Sequence, residues 1–73
     1  MSRIAAIGEG TRVAGYALSG ADVHAVSDPD EVRSAWARLP DDVGLVILTP
    51  DARSALGPRL SERSHLLWTV MPD

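Results

Sequence analysis

The first residues that could do chemistry are two glycines flanking an acid, Gly8-Glu9-Gly10, directly after the apolar run Arg3-Ile4-Ala5-Ala6-Ile7. Small residues between a strand and a helix let backbone N–H groups face a phosphate, and the helix start adds a favourable dipole. The dinucleotide fingerprint needs a further glycine or alanine three positions after the second, where helix and strand pack closely. Val13 occupies that position, and Gly15 falls two residues too late. Asp28, at the end of the second apolar run, mimics a ribose-binding acid, but it also heads a capping box. Glu9 would repel a pyrophosphate. The turn therefore reads as a structural strand-to-helix connection, with a nucleotide site built on Gly8 and Gly10 as the alternative.

Other chemistries meet firmer obstacles. A receiver-type phosphoacceptor site needs acids after the first strand, an aspartate after the third and a lysine beside the phosphoryl group. The chain offers Glu9, then Asp51 beyond Thr49-Pro50, and no lysine at all. Asp51 reads instead as an acid favoured in the first turn of a helix. The missing lysine also removes a P-loop and Schiff-base chemistry. His24 and His65 are the only histidines, with no cysteine and no acid at ligand spacing, so no metal centre is expected. No serine sits in a Gly-x-Ser-x-Gly elbow. Asp41 and Asp42 read as a solvated acidic turn. The expectation is a protein without catalytic residues, cofactor or metal of its own.

The aromatic residues point to contact instead. Trp36 belongs to an apolar stripe and is expected in the core. Tyr16 shares a helical side with Arg12 and Ser19, so it faces solvent or a partner as readily as the core. Trp68 falls in the last strand, at a sheet edge, where it either covers its own domain or anchors a binding surface. Tyr16 and Trp68 are the candidate partner contacts.

The elements that must position these residues alternate regularly. Residues 3–7, 23–26, 43–48 and 66–71 are short apolar runs without polar alternation, as in parallel strands covered on both faces. Between them, Asp28 caps a helix with Pro29 in its first turn, and Val32, Ala35, Trp36 and Leu39 make its apolar stripe. A first helix is expected from Gly10 or Thr11 to Ser19, with Val13, Ala14, Ala17 and Leu18 inward and Gly20 closing it. A third begins at Thr49-Pro50 and breaks at Gly57-Pro58. The order β-α-β-α-β-α-β over residues 1–73 predicts one α/β domain. It is a small Rossmann-like or receiver-like three-layer sandwich with a parallel sheet ordered 2-1-3-4 and three right-handed crossover helices. One face carries a single helix and is left thinly covered, so another helix or another protein would complete it.

Composition agrees with a contact role. The 73 residues carry a net charge of −3 and no cysteine, which gives no basic footprint for nucleic acid and no disulfide staple. No apolar run approaches the ~20 residues needed to span a bilayer, nor is there a secretory leader pattern, so a soluble intracellular protein is expected. So small a chain buries only about 60% of its unfolded surface, which makes help from a partner valuable.

Three stretches together, "IAAIGEGTRVAGYALSGADVHAV", "DVGLVILTPDARSALGPRL" and "LLWTVMP", resemble the F subunit of the V/A-type ATPases, the rotary ATP synthases and ion pumps. The family's opening I-G-D-x-x-T-V-x-G-F-x-L-A-G is matched by Ile7-Gly8-Glu9, Val13, Gly15, Tyr16, Leu18, Ser19 and Gly20. Its D-V-G-x-I-x-I-T is matched by Asp42-Val43-Gly44, Val46, Leu48 and Thr49, with Asp51 leading the next helix. Its final V-x-x-I-P is matched by Val70-Met71-Pro72. Arg12 departs from the pattern, standing where the family has threonine. The family also continues past the last strand into a C-terminal helix, whereas this chain stops at Pro72-Asp73.

The resemblance implies a non-catalytic rotor component seated on the coiled coil of the D subunit in the central stalk, within reach of the catalytic headpiece. It implies a cytoplasmic protein peripheral to the membrane, supporting ATP-coupled proton or sodium transport, with no nucleic acid partner and no membrane insertion. The alternatives are the nucleotide-binding fragment above and a free-standing protein-interaction module.

Overall fold

The computed structural model describes residues 3–72, with the side chains of residues 17–19 also outside the description. Four parallel strands, β1 (Arg3–Gly8), β2 (Asp22–Ala25), β3 (Val43–Leu48) and β4 (Leu67–Val70), form one sheet in the order β2-β1-β3-β4. The expected α/β architecture and strand order are both present. The helices are α1 (Gly10–Val13), α2 (Pro29–Ala37) and α3 (Pro50–Leu56). Among the described residues, no helix is long and apolar enough to cross a membrane.

Local chemistry explains the helix boundaries. Asp28 accepts hydrogen bonds from the amides of Asp30 and Glu31 at 3.0 and 3.2 Å, and Pro29 opens α2 where its missing N–H costs nothing. The hydroxyl of Thr49 accepts from the Ala52 amide at 3.1 Å and caps α3. Gly20 and Gly57 take φ of +87° and +50°, a region that admits glycine without penalty and ends each preceding helix. At the expected break the chain passes into a 3₁₀ segment over Gly57–Glu62.

The first helix departs from expectation. Only Gly10–Val13 is α-helical, and Ala14–Ser19 winds as a 3₁₀ helix. With three residues per turn, side chains at i and i+3 eclipse. Val13 is thus buried and Tyr16, three positions on, packs behind it, while Ala14 is exposed and not inward-facing as the α-helical spacing predicts. The side chains of Ala17 and Leu18, the other two expected inward residues, lie outside the described set.

Strand alternation sorts the core into two unequal parts. Ala5, Ile7, Val46, Leu48 and Leu66 meet Val32, Trp36, Leu39 and Leu56 beneath α2 and α3. On the opposite face, among the described residues, a smaller cluster joins Ala6, Val13 and Met71, with Tyr16, Val23 and Ile47 against it. The pairing of β1 with β3 shifts between Arg3–Val43 and Ile4–Leu45. This bulge at Gly44 lets Val43 and Val46, three residues apart, enter the same core although strict alternation would oppose them.

Candidate partner-binding face

The opening turn is filled by the protein itself. A Cβ built on Gly8 would stand 2.1 Å from Thr49 Cγ2, 2.6 Å from its Oγ1 and 2.8 Å from its Cβ. Gly8 is therefore glycine because the buried cap of α3 presses against it. The Glu9 carboxylate accepts from the Thr11 amide at 3.2 Å and from the Thr11 hydroxyl at 2.5 Å. It occupies the amide at the start of α1, where an external phosphate would have to bind. The Thr11 hydroxyl and then its amide hold the Glu9 carboxyl below the ordinary glutamate range, so it is anionic near neutrality.

The remaining polar candidates stay dispersed. Asp28 serves α2 as its cap, and Asp51 stands exposed in the first turn of α3. Asp42 lies 3.5 Å from Arg3, and Asp41 3.6 Å from Arg63. His24 lines a cleft of about 500 Å³ with Asp30, Glu31, Ser34 and Arg38, where Asp30 is paired with Arg33. His65 is exposed in the turn before β4. Among the described residues no three His, Cys, Asp or Glu side chains gather as metal ligands would.

The two aromatic candidates fall on opposite sides of the sheet. Tyr16 is half-buried against the small cluster around Val13. Trp68 pairs in register with Val46 and so faces the α2–α3 side, where it remains 37% exposed. The Arg53 guanidinium carbon sits 5.6 Å from its ring centroid, a cation–π contact that covers part of the indole. The structure does not bring Tyr16 and Trp68 into one patch.

What it does bring together is a row of aliphatic side chains. Register aligns Ile4 with Leu45 and Leu45 with Leu67 across β1, β3 and β4. Alternation places all three on the α1 side of the sheet. Ile4 is 42% exposed, Leu67 is 70% exposed and Leu45 is half-buried. One step along, Ile47 and the exposed Thr69 continue the same face. The cause is the short first crossover: among the described residues α1 and its 3₁₀ continuation pack mainly over β2 and β1, leaving Leu67 at the β4 edge open. Three strands at about 4.8 Å spacing make this row about 10 Å wide, the diameter of one helix. The sequence reading anticipated a thinly covered face but missed these three residues. Their strand parity, combined with the shortness of the first crossover, was the available signal.

No family model matches the chain, and no curated protein matches it by sequence. Among solved structures, it is similar to the F subunit of the V-type ATP synthase from Archaeoglobus fulgidus, with a TM-score of 0.56 at 23% identity. The match covers 97% of this chain and 98% of that one. Strand order, helix placement and this nearly end-to-end superposition together show that the chain has the fold of a V-type ATP synthase F subunit.

Proposed function

We propose that this protein is a non-catalytic central-stalk component of a V/A-type rotary ATPase. It binds the coiled coil of the D subunit and supports ATP-coupled proton or sodium transport from the cytoplasmic side of the membrane. The observation that carries this reading is the fold likeness to the archaeal F subunit over almost the whole of both chains. The in-order motifs from Ile7 to Pro72 support it independently of the fold. So does the open row of Ile4, Leu45 and Leu67, because an apolar strip one helix wide suits a helical partner. Trp68, at the edge on the other side of β4, is a second contact for a partner that reaches around that edge. Fold alone never fixes function, so the test must be binding.

The test is co-expression with the coiled coil of a cognate D subunit. The two should co-elute in size-exclusion chromatography, and the small domain should melt at a higher temperature in the complex, since a ligand of the native state stabilises it. Separate elution with an unchanged melting curve would overturn the assignment.

A further inference from the structure

One edge of the sheet has neither a partner nor a guard. In a parallel ladder, alternate residues turn both main-chain groups toward the same neighbour. The Met71 amide donates to the Leu48 carbonyl at 2.8 Å, which fixes that alternation along β4. Leu67, Thr69 and Met71 turn toward β3, so Trp68 and Val70 turn their N–H and C=O groups outward. No strand lies beyond β4, and among the described residues no loop or turn main chain bonds to these outward groups. Sheet edges are ordinarily blunted by a charge, a proline, a bulge or a cover. β4 contains no charge and no proline, its register with β3 runs unbroken, and Leu67, Trp68 and Thr69 are all exposed. The opposite edge differs: β2 begins with Asp22, which pairs with Arg3, and the 3₁₀ segment Ala14–Ser19 packs beside it.

We propose that β4 pairs antiparallel with β4 of a second copy of this chain, about a two-fold axis at Thr69. The open groups select that register. Trp68 of each copy exchanges both hydrogen bonds with Val70 of the other, so every outward group on both edges finds a partner. An axis at Trp68 would instead set Val70 against Leu66, whose amide already donates to the Arg63 carbonyl at 3.0 Å. The side chains agree with the chosen register. Trp68 comes beside Val70 of the second copy on the α2–α3 side, Leu67 beside Met71 on the α1 side, and Thr69 opposite its own counterpart. Neither strand brings a charge to the seam, so the net −3 of each chain acts only at screened distances. The strand of another protein would meet the same donors without this reciprocity. The contact uses the edge and not the Ile4–Leu45–Leu67 face, so it does not rest on the stalk assignment. So short a pairing buries less than the roughly 800 Å² per partner of a stable complex, and the dimer is therefore weak, forming on the order of 0.1 mM.

The test uses the full chain labelled with nitrogen-15, compared at about 10 µM and about 1 mM, concentrations that bracket the expected dissociation constant. Sedimentation velocity should show the mass doubling at the higher concentration. There, amide exchange at Trp68 and Val70 should slow about threefold or more, while Thr69, already bonded to β3, keeps its rate. Thr69→Lys and Thr69→Glu each place like charges opposite one another, so each should stay monomeric alone, yet the two should dimerise when mixed. If either variant fails to fold, Val70→Pro replaces the pair. It removes the outward N–H without touching the ladder to β3 and should weaken association at least about tenfold. The proposal is overturned by a monomer at the higher concentration, or by slowed exchange at Val23 and Ala25 of the β2 edge in place of Trp68 and Val70. It is equally overturned by a lysine or glutamate variant that dimerises alone, a mixture that stays monomeric, or undiminished association in Val70→Pro.

Discussion

Replacing Gly8 with alanine tests whether the opening glycine serves packing. The added methyl would fall 2.1 Å from Thr49 Cγ2, well inside van der Waals contact, and Thr49 is itself 2% exposed with little room to retreat. Either the strand shifts or Thr49 swings away and gives up its 3.1 Å bond to the Ala52 amide. Overpacking costs about 1–3 kcal/mol, and loss of a helix cap about 1 kcal/mol more. The expected destabilisation is therefore about 2–4 kcal/mol. At roughly 4–8 °C per kcal/mol for a domain this small, the melting temperature should drop by at least about 8 °C. Circular dichroism melts and guanidinium titrations measure it directly. The decisive comparison is Gly8→Ala in a Thr49→Ser background, which keeps the capping hydroxyl but removes the nearest methyl. There the loss should shrink by at least about 0.5 kcal/mol, the coupling expected of residues in contact. If Gly8→Ala melts with the wild type, or costs the same in both backgrounds, the packing explanation for Gly8 is wrong.

Three further outcomes follow from the geometry. Leu67→Asp should leave the isolated domain's stability within about 0.5 kcal/mol, because the side chain is 70% exposed. The same change should abolish co-elution with the coiled-coil partner, and retained co-elution would move the contact elsewhere. Arg63→Ala removes both guanidinium bonds, to the Trp36 carbonyl in α2 and to the Leu39 carbonyl just beyond it, and should cost about 1–3 kcal/mol in denaturant titrations, whereas Arg59→Ala should cost almost nothing. Glu9 has its pKa lowered in the folded state, so its contribution is fully present above the ordinary glutamate range and disappears as pH falls through the lower folded value. Glu9→Gln should therefore flatten the acid limb of the stability–pH curve, and an unaltered limb would show that the Thr11 contacts do not form.

Much of this fold was legible because its punctuation is chemical. Asp28-Pro29 and Thr49-Pro50 announce helix starts, Gly20 and Gly57 announce ends, and uninterrupted β-branched runs announce buried parallel strands. Strand order then followed from crossover handedness. The conversion of Ala14–Ser19 to a 3₁₀ helix was not legible, since α and 3₁₀ turns share the same residues and differ only in how tightly the chain must wind. That difference turned Ala14 outward and Tyr16 inward. The aliphatic row escaped for another reason. Continuous apolar runs imply two covered faces, and only the assembled sheet reveals that Leu45 is covered in part and Leu67 hardly at all on the α1 side. Leu67 thus read as core, while Trp68, conspicuous as an aromatic, is partly shielded by Arg53.

The unequal division of the core has a consequence for motion. Among the described residues one layer rests on Ala6, Val13 and Met71 with Tyr16, Val23 and Ile47 against them, whereas the other is braced by two helices and the guanidinium of Arg63. Amides in the first crossover should exchange with deuterium through a local opening well below the global unfolding free energy, while those of β1 and β3 wait for complete unfolding. Such a domain can loosen one flank and widen its aliphatic platform while the rest stays rigid.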